Sequence, residues 1–353
     1  MFESLGFENF TAPQVTVFFA LAIGVAFGLL AERSKFCFRR GLVGEDRKAA
    51  MGVWLMALSV AIAGTQFAVF KGFISFDEHR LLTSDLPVLS LILGGSLFGA
   101  GMVLTRGCAS RLTVLIGSGN LRALFVMIVF AIVAHATMKG LLAPLRVAIT
   151  SVTLPLESGQ IPGNPLIVSV TIATLAIIYA LRSGNSAPRL LTGAALGALV
   201  PLAWVGTGFI LFDDFDPIPL ESLSFTLPAT ETLFFAIASS AIPANFGTGL
   251  IGGVIAGSLL ASLMFRSFQW QSFENPAQTG RYLLGGALMG MGGVLAGGCT
   301  VGAGLSGIPT LSIAAVIALL TIAASALLTN YLLNAYAPGS AAPSTTPQPQ
   351  LAT

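Results

Sequence analysis

Nine stretches of mostly apolar residues, each near the roughly 17–25 residues that cross a bilayer core, divide this chain. They lie at about 14–31, 48–70, 86–105, 120–140, 164–182, 190–212, 246–266, 280–298 and 309–333. So many spans leave little chain for anything but a membrane-embedded fold. Only 9% of the 353 residues are charged, against about 25% in a soluble domain, and no soluble fold of this size buries that much apolar surface. The pattern predicts an all-α polytopic membrane protein of about nine transmembrane helices. Short re-entrant or half-helices are expected at 229–243, which Pro243 ends, and at 141–153. Glu231 is a candidate N-cap of the first. The tail 338–353, rich in Pro, Ser, Thr and Gln, has no core-forming pattern and reads as disordered. The first 13 residues carry Glu3 and Glu8 but no basic residue, so the first stretch reads as a retained span rather than a cleaved signal.

Basic residues orient these spans. With the N-terminus outside, the inside loops hold 13 of the 17 Lys and Arg, including Arg33, Lys35, Arg39, Arg40, Arg106, Arg111, Arg122 and Arg281. Lys71, Arg80, Lys139 and Arg146 fall outside, as does the acidic loop 213–230 with Asp213, Asp214, Asp216 and Glu221. The positive-inside rule therefore predicts an extracytoplasmic N-terminus and a cytoplasmic C-terminus. The net charge of +2 gives no reason to expect a nucleic-acid partner. His79 and His135 are too few for a histidine-rich metal site, and no cofactor motif is present. There is no GxxxxGK[ST] sequence that would signal ATP hydrolysis.

Internal similarity carries the most information. Residues 94–108, GGSLFGAGMVLTRGC, and 285–299, GGALMGMGGVLAGGC, agree at 9 of 15 positions without a gap. A weaker copy, GVAFGLLAERSKFC, occupies 24–37. A fourth, GAALGALVPLAWVG at 193–206, places Gly206 where the others have Cys37, Cys108 and Cys299. Small-xxx-small pairs are common where membrane helices approach closely. That accounts for any one pair, but less well for a cysteine at one fixed distance three times. Related copies lie five spans apart, so they run in opposite directions. This predicts two inverted halves, 1–153 and 154–333, with a 22-residue insertion in the second around 213–243, and a site near the midplane.

The glycines around the cysteines, Gly107, Gly298, Gly302, Gly304 and Gly307 among them, break helices, and irregular backbone at membrane depth survives only where it is buried or lines a cavity. Loops folding back from opposite faces are expected, with amides and half-helix N-termini that favour an anion. Three roles remain open for the cysteines: small buried hydrophobes, a disulfide that cannot use all three, or a line of thiols offering weak donors and soft acceptors to a sulfur-bearing ligand. Arg39, Arg106 and Arg111 beside the cysteines, and Lys71 at the other face, are topology anchors or a means of anion attraction. Gln66 and His135 are polar residues within spans, where helix–helix hydrogen bonding is the ordinary role.

The GxxxG-x8-C elements, above all 94–108 and GGALMGMGGVLAGGCTVGAGLSG at 285–307, resemble the YeeE/YedE family of sulfur transport proteins across nearly all of 14–333. The resemblance implies thiosulfate uptake across a bacterial inner membrane through an hourglass-shaped protein. Cys37, Cys108 and Cys299 would guide the anion by transient S–H···S contacts, with Gly107, Gly298 and Gly206 along the path. It also implies a small cytoplasmic TusA-like sulfurtransferase as a partner, and no enzymatic activity. Cys37 sits in SKFCFRRGL and lacks the preceding glycine. Alternatives are transport of another sulfur or selenium species, or a membrane thiol–disulfide protein; the latter class favours close dithiol pairs, and the sequence has none.

Overall fold

The computed structural model describes residues 11–77, 79–213 and 215–335. Glu3, Glu8, Asp214 and the tail 338–353 lie outside the described residues. The fold is almost entirely helical. The helices are α1 Ala12–Ser34, α2 Phe38–Val43, α3 Arg47–Phe70, α4 Val88–Leu104, α5 Ala109–Gly117, α6 Leu121–Lys139 and α7 Ala143–Thr150, then α8 Pro165–Leu181, α9 Ala187–Val205, α10 Thr226–Ala238, α11 Phe246–Met264, α12 Pro276–Leu295 and α13 Ile313–Ala335. Two-residue strands, Asp85–Leu86 and Leu154–Pro155, pair antiparallel across one end.

Eight of the described segments are long and apolar enough to cross a membrane. The fifth expected span is α8, whose 17 residues sit at the lower bound of about 17 for crossing. Its buried side chains are Ser169, Ala176 and Ala180, while Leu166, Ile167 and Leu181 point outward. Small residues inside and large apolar residues outside is the arrangement lipid favours, since burying Leu against protein gains little over burying it in lipid.

Asparagine caps begin several helices. Asn120, Asn164, Asn245 and Asn275 each accept a hydrogen bond from a main-chain N–H in the first turn, satisfying donors that have no partner within the helix. The short segment after the acidic loop begins earlier than its sequence suggests. α10 starts at Thr226 behind Phe225, so Glu231 lies inside the helix and is not its N-cap. Pro228 is tolerated because the N–H it lacks would have no partner in a first turn.

The paired glycines of the repeat are helix-packing positions. A Cβ on Gly24 or Gly28 of α1 would collide with Leu250 O or Val254 O of α11, and one on Gly193 or Gly197 of α9 with Val53 O or Ala57 O of α3. Gly95 and Gly99 of α4 face Ala318 O and Ile322 O of α13, whereas Gly286 and Gly290 of α12 face Val126 O and Phe130 O of α6. The contacts between α4 and α12 are reciprocal: Gly101 meets Gly285 O and Gly292 meets Gly94 O. The ordinary role of such glycines, close helix approach, is the one they play here.

Candidate functional site

Each cysteine terminates a long helix and starts a short one. After α1, α4 and α12 the chain turns through a left-handed residue two positions before the cysteine: Lys35 (φ 52°), Arg106 (φ 58°) and Gly297 (φ 72°). Only glycine adopts this conformation without steric cost. Cys37 then caps α2, Cys108 caps α5, and Cys299 caps a π-helical stretch, Thr300–Gly307. Gly206 behaves differently. α9 continues through it into a π-helical turn ending at Ile210, and Gly206 packs on the ring of Phe19. The fourth copy keeps the packing glycines but has no left-handed break and no thiol.

The three breaks bring the thiols into one buried core. Cys37 Sγ and Cys108 Sγ lie 3.7 Å apart, and Cys108 Sγ lies 3.3 Å from Ser110 Oγ. The next hydroxyl beyond Cys108 is that of Thr300, buried and without a hydrogen-bond partner, adjacent to the Cys108 thiol. Cys299 precedes it directly, and its Sγ accepts from Gly302 N at 3.4 Å. All three cysteines are free. The Cys37–Cys108 separation is a thiol contact, well beyond the roughly 2.05 Å of a disulfide bond. A close thiol pair therefore exists in space although the two cysteines are 71 residues apart in sequence.

The glycines beside the cysteines are structural parts of the breaks. Gly107 O accepts from Thr105 Oγ1 at 3.0 Å. Gly298 borders a cavity of about 220 Å³, and a Cβ there would stand 2.9 Å from Ala303 N.

The charged candidates divide. Arg39 lies close enough to Arg106 for the two charges to interact, and its Nε is buried without a hydrogen-bond partner. Arg111 is engaged elsewhere: its Nη1 donates to Glu32 Oε2 at 2.9 Å, joining α5 to α1. Lys71 ends α3, exposed, with Nζ 5.7 Å from the centre of the Phe67 ring. The in-span polar residues are also used for packing. Gln66 Nε2 donates to Pro309 O at 2.7 Å, and the His135 ring lies 3.9 Å from that of Phe234.

Sequence reasoning missed a cavity of about 850 Å³ that reaches Gly302, whose N–H donates to Cys299 Sγ. Its walls come from the loop after α3, the loop before α10 and the π-helical stretch, through Gly302 and Ser306. Arg80 projects into it and into the two smaller cavities beside Gly297, and Arg80 Nη1 donates to Gly297 O at 3.4 Å. Burial and Arg80 lower His79 to about 4, so its imidazole is neutral at physiological pH. Burial, with Glu231 nearby, raises Glu221 to about 7 against the opposing pull of Arg80. No local motif marks these residues, because they come from separate loops.

Three free thiols at helix breaks thus share one buried core, two of them in contact. The family described as sulphur transport matches residues 33–328. The chain belongs to this sulphur transport family. It is a multi-pass membrane protein of that family, and its long apolar helices fit that membership. The thiosulfate transporter TsuA of Spirochaeta thermophila is 26% identical over 205 residues, covering 54% of this chain. The chain spans 62% of that protein's length. The thiosulfate transporter TsuA of Escherichia coli K12 is 26% identical over 266 residues, covering 66% of this chain and 71% of that protein.

Proposed function

We propose that the chain takes up thiosulfate across a bacterial inner membrane, the anion passing Cys299, Cys108 and Cys37 in turn. One observation carries this reading: three buried free thiols sit at three helix breaks, two of them 3.7 Å apart and the third behind the wall of the large cavity. A thiol is a weak donor and a polarizable acceptor. It suits a dianion whose terminal atom is sulfur and which must shed water to pass. The N-termini of α5 and of the π-helical stretch add favourable partial charge where the anion would pass. Arg39 and Arg106 form the exit on the cytoplasmic side, where a TusA-like sulfurtransferase would accept the product.

The two halves, divided near residue 153, are related by inversion in this reading. The reciprocal contacts of Gly101 with Gly285 and of Gly292 with Gly94 support it. Orientation follows the basic loops, N-terminus outside. A periplasm-active reporter fused at 334 should be silent and one at 220 active; the reverse result would overturn the orientation.

Uptake of labelled thiosulfate by cells lacking other sulfur uptake tests the reading. Cys108→Ala and Cys299→Ala should abolish uptake at equal expression, whereas Cys37→Ala should reduce it. Cys108→Ser separates plain hydrogen bonding from sulfur-specific handling. Wild-type uptake by both alanine variants would reduce the cysteines to core filling. The close Cys37–Cys108 pair supports a second reading, a thiol–disulfide protein. That reading fails if uptake proceeds with all thiols held reduced.

A further inference from the structure

Where the anion first binds is a separate question from how it passes the thiols. The large cavity is at first sight a poor place for it. Asp77, Glu221 and Glu231 line the cavity against a single cation, Arg80, since the neutral His79 adds no charge. Arg80 is nonetheless well placed. It forms no ion pair among the described residues, is reachable by solvent from the cavity, and touches Gly297 O at the left-handed turn that presents Cys299. Trp204 lines the same cavity, 3% exposed, and its indole N–H has no hydrogen-bond partner. An unpaired guanidinium lining a cavity can take an oxyanion through charge-assisted hydrogen bonds.

We propose that Arg80 captures the anion in this cavity and that protonation of Glu221 removes the negative charge that opposes this, so that anion and proton bind together. The proposal rests on the thiosulfate reading above. Ionised, Glu221 attracts the guanidinium and repels the incoming dianion; protonated, it does neither. The other charged groups facing Glu221 do not substitute for it. Asp77 is held by the Ser75 hydroxyl at 2.5 Å, and Glu231 lies between Asn245 and Lys139. Arg80 is the one Lys or Arg that lines the cavity with Glu221 among the described residues. The main chain of Glu221 is pinned independently of its carboxylate: Thr207 Oγ1 donates to Glu221 O at 2.8 Å and accepts from Glu221 N at 3.1 Å. Replacing the carboxylate therefore leaves the wall in place.

The sign follows from Glu221 at about 7. Below that pH the carboxyl is mostly neutral and the anion binds; above it the carboxylate competes. Thiosulfate is a dianion throughout the range, so the dependence belongs to the protein. In proteoliposomes with equal pH on both sides, KM for thiosulfate should rise severalfold, toward about tenfold, between pH 6 and pH 8. Glu221→Gln should keep the low KM and lose the slope. Arg80→Gln should raise KM at pH 6 at least about tenfold with kcat largely retained, and Arg80→Lys should recover part of it. An unchanged slope in Glu221→Gln, or an unchanged KM in Arg80→Gln, overturns the proposal.

Thermal shifts of the purified full chain, at matched ionic strength with sodium thiosulfate and sodium sulfate as probes, separate this proposal from the reading beneath it. Stabilisation that needs Arg80 and fades above pH 7, in a protein that transports no thiosulfate, would retain the site and remove the thiosulfate reading. Uptake by the wild type with no Arg80-dependent stabilisation by either probe would remove the site and retain the reading.

Discussion

Cys37 Sγ and Cys108 Sγ stand 3.7 Å apart, each at the N-cap of a short helix that follows a left-handed turn. Two thiols this near can be joined by a small movement. Treating the purified protein with a mild thiol oxidant should therefore remove two hydrogens and link the peptides containing Cys37 and Cys108. Peptide mass spectrometry reads the link, and a reductant should reverse it together with the accompanying loss of uptake. Crosslinks through Cys299 in preference to this pair would contradict the geometry.

The turn before each thiol makes a second prediction. Gly297 has φ 72° and open space where a Cβ would go, so Gly297→Ala meets only the backbone cost of the left-handed region, about 1–2 kcal/mol. Its melting temperature should fall, and uptake should fall with it as Cys299 loses its fixed position. Arg106→Gly occupies the matching turn. Relief of strain there is offset by greater freedom in the unfolded chain, so stability should change by less than about 1 kcal/mol. Equal effects from the two substitutions would argue against a shared turn.

Helix packing gives a third. A Cβ at Gly290 would stand 2.5 Å from Phe130 O, and one at Gly99 would collide with Ile322 O, whereas Gly252 on α11 has nothing within 4 Å. Gly290→Ala and Gly99→Ala should each cost about 1–3 kcal/mol, the usual range for overpacking, and Gly252→Ala should be neutral. Thermal unfolding in detergent compares the three. A neutral Gly290→Ala would show that α6 and α12 can separate freely.

The Glu32–Arg111 pair is the fourth. With side chains 12% and 14% exposed, breaking it leaves a largely buried charge. Arg111→Met should destabilise by about 1–3 kcal/mol, less than the roughly 3–5 kcal/mol for a fully buried pair. Adding Glu32→Gln should recover most of that. Recovery of both stability and uptake in the double variant would mark Arg111 as a brace between α1 and α5 rather than a cation for the anion. Lost uptake in a double variant of restored stability would give it a role on the path.

The sequence by itself determined the membrane fold, because apolar runs of this length can be satisfied only as helices in lipid. It also marked the close helix contacts through Gly95, Gly99, Gly286 and Gly290, since a missing Cβ is written in the residue itself. The matched placement of Cys108 and Cys299 at helix ends was legible for the same reason, in a repeat that fixes their distance from those glycines. Tertiary structure decided the rest. The left-handed turns at Lys35 and Arg106 carry no local signature, because neither residue favours that conformation and packing imposes it. Gly206 matched the repeat in spacing, yet α9 runs through it. Arg111 read as a topology anchor or a means of anion attraction, and only the fold brought Glu32 of α1 against it. The cavity of Arg80, Trp204 and Glu221 is assembled from two loops and the end of α9, far apart in the chain. Its electrostatics depend on burial and on neighbours that only the folded chain supplies.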